Sequence, residues 1–232
     1  MFAIAIDGPA GAGKSSVAKA AAKALGFTYV DTGALYRAIA LYMLENQVPL
    51  TEPEAVIAAL PGVQVSLEYG EGGQRTLLCG RDVSQQIRTE EVSIATSRWV
   101  AHIPQVRAFL IGLQQQLAKN ANVVMDGRDI GTVILPGAQL KIFLTATAEE
   151  RARRRTRQLE ETGQLANYAQ VLEEVVRRDK QDAGQLERLP PDGITLDTTG
   201  LSFDQVVERL TALARQRMGL PEEGGEGVGP NA

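Results

Sequence analysis

The sequence has very little of the two residue types that most often complete catalytic dyads and metal sites. Among its 232 residues there is one histidine, His102, and one cysteine, Cys79. A single histidine leaves almost no room for Ser-His, Cys-His or His-rich metal chemistry, and its place before Ile103 and Pro104 predicts a structural or surface role. A single cysteine excludes an intrachain disulfide and a multi-cysteine metal site, which is typical of a reducing cytoplasm.

Long apolar runs and an excess of positive charge are also missing. No apolar run approaches the ~20 residues that span a bilayer, and the chain begins directly with a strand pattern instead of a signal peptide. The 28 acidic and 24 basic residues give a formal net charge of −4. We therefore expect no membrane partner, no nucleic-acid partner and a cytoplasmic location. The length suits one large core, or a core with small inserts.

A glycine-rich loop at 8–16 is the most informative feature that is present. It matches G-x-x-x-x-G-K-[ST] without a gap, through Gly8, Pro9, Ala10, Gly11, Ala12, Gly13, Lys14, Ser15 and Ser16. In this motif backbone N–H groups cradle phosphates, the lysine reaches the β- and γ-phosphates, and the serine hydroxyl contacts Mg²⁺. A strand pattern precedes the loop and a helix pattern follows it, so the helix dipole also faces the phosphates. The loop therefore predicts a triphosphate site with Mg²⁺.

Strand patterns alternate with helix patterns through the rest of the chain. The strands are predicted at 2–6, 27–30, 123–125, 140–144 and 194–197. This alternation predicts an α/β fold whose five-stranded parallel sheet is covered by helices on both faces. Period-2 alternation at 63–69 and a second strand at 74–79, joined by a glycine turn, predict a small β insert outside that sheet.

Local signals predict several helix boundaries. A turn at 31–33 precedes a helix at 34–45, and Thr51 with Glu54 predicts a capping box that opens a helix ending near residue 60. Further helices are predicted at 90–101, from Pro104 onward, at about 149–161, at about 168–180 and after Ser202. The apolar stripe of the Pro104 helix consists of Val106, Phe109, Leu110, Leu113 and Leu117. The glycine-rich residues 221–232 are predicted to be disordered.

Aspartates stand at the ends of three predicted strands, as Asp31, Asp126 and Asp197. The carboxyl ends of parallel strands meet at one edge of a sheet, where ligands bind. Asp126 is predicted to orient Mg²⁺, directly or through water, and the alternative is a turn residue that caps Gly127. Asp197 begins a D-x-x-G sequence as in nucleotide-dependent switches. It stands on the last strand, however, and the sequence has no N-K-x-D motif, which disfavours a switch.

Arginines are numerous for an acidic protein. They include Arg37, Arg107, Arg128, Arg151, Arg153, Arg154, Arg155, Arg157, Arg177 and Arg178. Guanidinium groups bind phosphate through bidentate hydrogen bonds. Transfer of a phosphoryl group onto another phosphate requires that the negative charges are neutralised and the two groups are aligned, and it needs no general base. Five of these arginines fall within seven residues of the helix at 149–161. Glu-Arg pairing on a solvated face explains some of them, and a mobile lid that delivers one or two to the triphosphate would explain the rest.

Four segments together resemble the bacterial-type cytidylate (CMP) kinases, and the resemblance covers about residues 2–216. These segments are IDGPAGAGKS at 6–15, DTGALYR at 31–37, IRTEEV at 87–92 and DGRDIGT at 126–132. The β insert also resembles the extra segment in the monophosphate-binding region of this family. The resemblance implies transfer of the γ-phosphoryl group of ATP to CMP or dCMP, with Mg²⁺. Another small acceptor such as UMP, AMP or a small alcohol stays open as an alternative, and nothing in the sequence requires more than a monomer.

The resemblance also implies a P-loop nucleoside-monophosphate-kinase fold, with three regions in one domain over about 1–220. The core would comprise about 1–32, 106–150 and 186–218. The monophosphate-binding region, with the β insert, would be at about 33–105, and a short helical lid at about 151–185. The remaining residues, 221–232, would form the tail.

Individual roles follow from the same resemblance. The residues implied in phosphoryl transfer are Lys14, Arg37, Asp126 and Arg128. Arg37 and Arg128 look like clamps on the acceptor phosphate, with Tyr36 beside them, and Thr32 stands where a serine is common in the family.

The resemblance further implies a reader for the cytosine base. Ser97 and Asp129 could accept from the cytosine amino group, and Arg107 could donate to the ring nitrogen and the carbonyl. This set suits rejection of uracil, because uracil inverts two of those features. Arg178 and Asp182 match the family pair that holds the sugar.

One position departs from the family pattern. Gln185 stands where the family usually has an arginine, and Arg188 follows three residues later. Either the lid is rewired or this phosphate contact is weaker, so neither residue is assigned to the site.

Overall fold

The computed structural model describes residues 1–70, 73–161, 163–186 and 190–221, and the side chains of all of these except 181–186. The strands and helices in chain order are β1 (Ala3–Asp7), α1 (Lys14–Leu25), β2 (Thr28–Asp31), α2 (Thr32–Glu45), α3 (Pro53–Ala59), β3 (Val65–Gly70), β4 (Gly73–Leu78), β5 (Arg81–Asp82), α4 (Glu90–Arg98), α5 (Pro104–Leu117), β6 (Val123–Asp126), β7 (Leu140–Thr145), α6 (Ala148–Glu161), α7 (Tyr168–Leu186), β8 (Ile194–Asp197) and α8 (Phe203–Met218). The predicted tail lies outside the described residues apart from residue 221, and so does Arg188.

The central sheet has five parallel strands in the order β2-β6-β1-β7-β8. Alternate residues of β1 face opposite sides, as the period of a strand requires. Ile4 and Ile6 pack against α1 and α8 on one side, and Ala5 packs with residues of β6 and α5 on the other. Because both faces are covered by helices, the predicted α/β fold with a parallel five-stranded sheet is confirmed.

A second apolar cluster lies away from the central sheet. It is formed by α2, α3, α4, α5 and the β insert, with Leu35, Ile39 and Leu78 completely buried. The insert pairs β3, β4 and β5 antiparallel, so the predicted hairpin is confirmed and gains a short third strand. Gln74 on β4 accepts from the backbone N–H of Asp31 at 2.8 Å, which fixes the insert beside the end of β2.

The predicted start of α2 is wrong. There is no turn at 31–33, because α2 begins at Thr32 directly after β2. The Asp31 carboxylate accepts from the N–H of Ala34 at 3.0 Å and caps the helix. This cap brings the side chains of the first helical turn next to the end of the sheet.

Three other predicted features also differ. The capping box at Thr51 does not form, because α3 begins at Pro53 and Glu52 precedes it. Phe109 belongs to the predicted stripe of α5 but is 41% exposed. The helix predicted at 90–101 ends at Arg98, and a short 3₁₀ turn follows it. In contrast, the capping box at Ser202 is complete. In the described part of the chain no helix is both long and apolar enough to cross a bilayer.

Candidate functional site

The glycine loop between β1 and α1 curls tightly because three of its glycines have positive φ angles, at Gly8, Gly11 and Gly13. A Cβ atom at Gly8 would lie 2.0 Å from the carbonyl oxygen of Leu144 on β7, so the loop passes against the sheet where only glycine fits. Lys14 is 6% exposed, and its Nζ donates to the carbonyl of Pro9 at 2.8 Å. No side chain of the described residues caps α1, which leaves its first N–H groups to an anion. The cradle therefore fits phosphate.

Ser15, at the start of α1, meets the end of β6. Its Oγ donates to Oδ2 of Asp126 at 2.8 Å, and the hydroxyl of Tyr29 donates to Oδ1 at 2.9 Å. Burial, and then the neighbouring Asp31 carboxylate, raise the pKa of Asp126 to about 6. The N–H of Gly127 donates to the carbonyl of Ile6, so the alternative role of Asp126 as a cap for Gly127 is wrong.

The pair Ser15 and Asp126 suits a divalent cation. A hydroxyl oxygen and a carboxylate oxygen side by side are hard donors of the kind that Mg²⁺ prefers. Within the described residues no three His, Cys, Asp or Glu side chains cluster into a metal cage. Mg²⁺ commonly binds through one or two carboxylates together with substrate phosphates.

Arg37 lies on the second turn of α2, the helix that follows β2, and Arg128 lies two residues after β6. The strands β2 and β6 are neighbours in the sheet. Arg37 donates to Oδ2 of Asp31 at 2.8 Å, and a Cβ at Gly33 would lie 2.9 Å from its Nη1. Its buried Nε has no hydrogen-bond partner among the described residues. Asp31 therefore orients the Arg37 guanidinium. The sequence analysis noted this aspartate at the end of a strand but did not predict this role. Arg128 donates to the carbonyl of Gly127 at 3.3 Å.

Ser97, Arg107 and Asp129 come together although they belong to α4, α5 and the segment after β6. Arg107 donates to Asp129, and its guanidinium lies over the Tyr36 ring, 5.9 Å from the centroid. Ser97 Oγ donates to the carbonyl of Ile94 at 3.4 Å. The three side chains predicted to read the base therefore all have partners within the protein.

Near this group lie Asp7, which had no role in the sequence analysis, and His102, for which a structural or surface role was predicted. Asp7 accepts from the backbone N–H groups of Ile130 and Gly131 at 2.7 and 2.8 Å, directly after Asp129. Burial raises the pKa of Asp7. His102 Nε2 lies 2.7 Å from the carbonyl oxygen of Ser97, which agrees with the structural role predicted for this histidine. Only the position of Asp7 directly before the glycine loop could have marked it.

The arginines of α6 divide into two groups. Arg153 and Arg154 bond to Glu150 at 3.3 and 3.0 Å, which confirms the predicted Glu-Arg pairing for two of them. Arg151 is instead buried, with 4% of its surface exposed. On α7, Arg178 donates to Glu174 at 2.8 Å. The side chain of Asp182 lies outside the described part.

Most of the predicted site residues line one cavity of about 1060 Å³. The site residues that line it are Ala10, Gly11, Ala12, Gly13, Lys14, Ser15, Ser16, Thr32, Tyr36, Arg37, Ser97, Arg107, Asp126, Arg128, Asp129 and Arg178. Gly8 and Pro9 shape the loop without lining the cavity. Asp31, His102 and the arginines at 153–155 and 157 also line it. The triphosphate loop and the group around Arg107 therefore share a single space.

Comparison with known proteins gives a consistent match over most of the chain. The family model described as cytidylate kinase matches residues 4–216. A cytidylate kinase of Caldanaerobacter subterraneus subsp. tengcongensis is 49% identical, with 92% of this chain and 94% of the relative covered. A cytidylate kinase of Carboxydothermus hydrogenoformans is 48% identical, with 89% and 94% covered. Among solved structures, a gluconokinase from Sinorhizobium meliloti 1021 covers 94% of both chains at 18% identity with a TM-score of 0.48.

Proposed function

The chain belongs to the cytidylate kinase family, and we propose that it transfers the γ-phosphoryl group of ATP to the phosphate of CMP or dCMP. The products would be ADP and CDP or dCDP. One observation carries the proposal: the cavity of about 1060 Å³ is lined both by the glycine loop and by Ser97, Arg107 and Asp129. The loop suits a triphosphate and the other group suits a cytosine edge, so donor and acceptor nucleotides can meet in one space.

The base-reading group is arranged before the nucleotide arrives. Asp129 and the Tyr36 ring hold the Arg107 guanidinium in place, so little side-chain freedom is lost on binding. Arg107 can donate to the ring nitrogen and carbonyl of cytosine, while Asp129 and Ser97 can accept from its amino group. Uracil would place an acceptor and a donor against the wrong partners, which leaves buried polar groups unpaired.

Phosphoryl transfer would depend on positioning and charge. The acceptor phosphate is already ionised, so no side chain has to remove a proton from it. Lys14 would bind the donor phosphates, and Arg37 and Arg128 would hold the acceptor phosphate and offset the charge that develops. Asp31 keeps the Arg37 fork directed into the cavity. The structural support is that all three cations line the same cavity.

We further propose that Ser15 and Asp126 hold Mg²⁺, with Asp126 acting directly or through water. Held there, Mg²⁺ would supply positive charge that offsets the charge of the ATP phosphates. Tyr29 would orient the Asp126 carboxylate by its hydrogen bond to Oδ1. The buried carboxylate, whose pKa is raised, gains from a nearby positive charge, and this supports a cation at this position.

The remaining assignments are also proposals. The helices α6 and α7 would form the lid over about 151–185. Five of their arginines line the cavity, namely Arg153, Arg154, Arg155, Arg157 and Arg178. Arg178, together with Asp182, would hold the sugar of the acceptor. Lid closure would exclude water and so prevent hydrolysis of ATP. We propose a monomer that acts in the cytoplasm, where the exposed thiol of Cys79 would stay reduced.

ADP release with a panel of acceptors tests this function. CMP and dCMP are expected to support turnover, and UMP and AMP to be poor acceptors. In Arg107→Met the KM for CMP is expected to rise about ten- to a hundredfold with the KM for ATP unchanged, because a charge-assisted hydrogen bond contributes about 1.5–3 kcal/mol. Arg98→Met, an exposed arginine on α4 outside the cavity, is the matched control. Equal rates with AMP and CMP would contradict the base-reading assignment.

A further inference from the structure

Arg151 is a buried arginine that the proposed reaction does not use. It is 4% exposed and does not line the cavity, although its neighbours at 153–155 do. Its Nε donates to the carbonyl of Ala146, at the end of β7, at 3.0 Å. Its Nη1 donates to the carbonyl of Ala10, in the glycine loop, at 2.9 Å. A charge at this depth needs partners, and two of them are backbone carbonyls that cannot move independently of the loop and the sheet.

The third partner of Arg151 is on the lid. The Asp179 carboxylate on α7 accepts from Nη1 and Nη2 at 2.8 and 2.5 Å. Such a bidentate ion pair fixes both the position and the orientation of the guanidinium. The residue before Asp179 is Arg178, which lines the cavity. The Arg151 guanidinium therefore connects the glycine loop to the residue next to the proposed sugar contact.

The loop also packs directly on Arg151. A Cβ at Gly11 would lie 3.4 Å from the Cβ of Arg151. A shift of the loop around bound phosphates would therefore move Ala10, Arg151 and Asp179 together. Because protein interiors are close-packed and transmit strain, such a shift would be passed on to α7 through this ion pair.

We propose that Arg151 and Asp179 are positioning residues that couple the ATP site to the acceptor site. Triphosphate in the glycine loop would orient the Arg151 guanidinium, which in turn would orient the Asp179 carboxylate. The position of Asp179 would then orient the adjacent Arg178 toward the sugar of CMP. This inference rests on the proposed function. It predicts that an ATP analogue tightens CMP binding, and by linkage that CMP tightens binding of the analogue by the same factor.

The test measures binding, so no turnover is needed. The dissociation constant of CMP is determined by calorimetry with Mg²⁺, in the absence and presence of saturating β,γ-imido-ATP, for wild type and Asp179→Asn. We expect the analogue to tighten CMP binding about fivefold or more in wild type. In Asp179→Asn this factor should fall to about one, while the dissociation constant of CMP alone stays unchanged. Glu173→Gln, an exposed acid on the same helix, controls for the loss of charge.

Arg151→Lys is the second variant, because it keeps the buried charge and removes the two-bond fork. Its coupling factor should also fall, and circular dichroism reports whether either variant is folded. A wild-type coupling factor that both variants retain would show that the pair only stabilises the fold, and would overturn the inference. A coupling factor of one in wild type would overturn it as well. Wild type that binds the analogue but not CMP would refute the proposed function, and this inference with it.

Discussion

Replacement of Asp126 by asparagine is expected to stabilise the nucleotide-free protein while it removes activity. The wild-type carboxylate is 5% exposed and lies near Asp31. Burial and that neighbour raise the pKa of Asp126 from 3.8 to about 6. Between these values the folded protein holds the proton more tightly than the unfolded chain does. The free energy of unfolding therefore falls as the pH rises through this window, and stays lower above it.

The size of this effect follows from the pKa shift. A shift of about two units, at about 1.4 kcal/mol each, makes the ionised carboxylate cost about 3 kcal/mol near pH 8. An asparagine side chain carries no charge, but it has only one acceptor oxygen. The variant therefore loses one of the two hydrogen bonds that Ser15 and Tyr29 donate to Asp126, which costs about 1 kcal/mol of stability. We therefore expect Asp126→Asn to be more stable than wild type by about 2 kcal/mol near pH 8, and by clearly less near pH 5.

Urea unfolding in the presence of EDTA measures this difference across the pH range. Asp197→Asn is the matched control, because Asp197 also ends a strand but is exposed, and hydrogen bonds from Thr199 lower its pKa. Its replacement is expected to reduce stability above the usual carboxyl pKa, which is the opposite sign. A stability difference for Asp126→Asn that is zero, negative or independent of pH would refute the reasoning. Phosphoryl transfer by Asp126→Asn should be lost or require much more Mg²⁺.

Two further changes test the loop and the acceptor clamp. Gly8→Ala forces a Cβ to within 2.0 Å of the Leu144 carbonyl oxygen at a φ of +149°, so we expect a loss of about 2 kcal/mol or more in thermal or urea unfolding; wild-type stability would contradict this. Arg37→Lys keeps the charge but loses the planar fork that Asp31 holds, so kcat should fall about ten- to a hundredfold with little change in the KM for ATP; steady-state kinetics with an unchanged kcat would remove Arg37 from the clamp.

The glycine loop could be predicted in detail because the residues that determine its conformation are neighbours in the sequence. Its residues, the strand before it and the helix after it are contiguous, and the structure forms all three. The capping box at Ser202 is local in the same way and is complete. The signal at Thr51 is equally local but is overridden, because Pro53 provides a start for α3 at a different residue.

The relative positions of the strand ends could not be predicted, because the order of strands in a sheet is not a local property. Asp31, Asp126 and Asp197 look equivalent in the sequence. In the strand order β2-β6-β1-β7-β8, Asp31 lies beside Asp126 at the cavity. Asp197 lies beside Thr145, at the opposite edge of the sheet. Only the first two aspartates therefore belong to the site.

Burial separates the arginines of α6 and α7 in a way that their spacing cannot. Arg153 is 63% exposed and Arg178 is 34% exposed, and each pairs with a glutamate on its own helix. Pairs of this kind contribute about 0–1 kcal/mol, so incoming phosphate or sugar can replace the glutamate at little cost. Arg151 is buried, and removal of Asp179 would leave its charge buried without a carboxylate. Exchange of partners during the proposed reaction would therefore cost little for the exposed arginines and much for Arg151, which is why the proposed coupling uses Arg151 and Asp179.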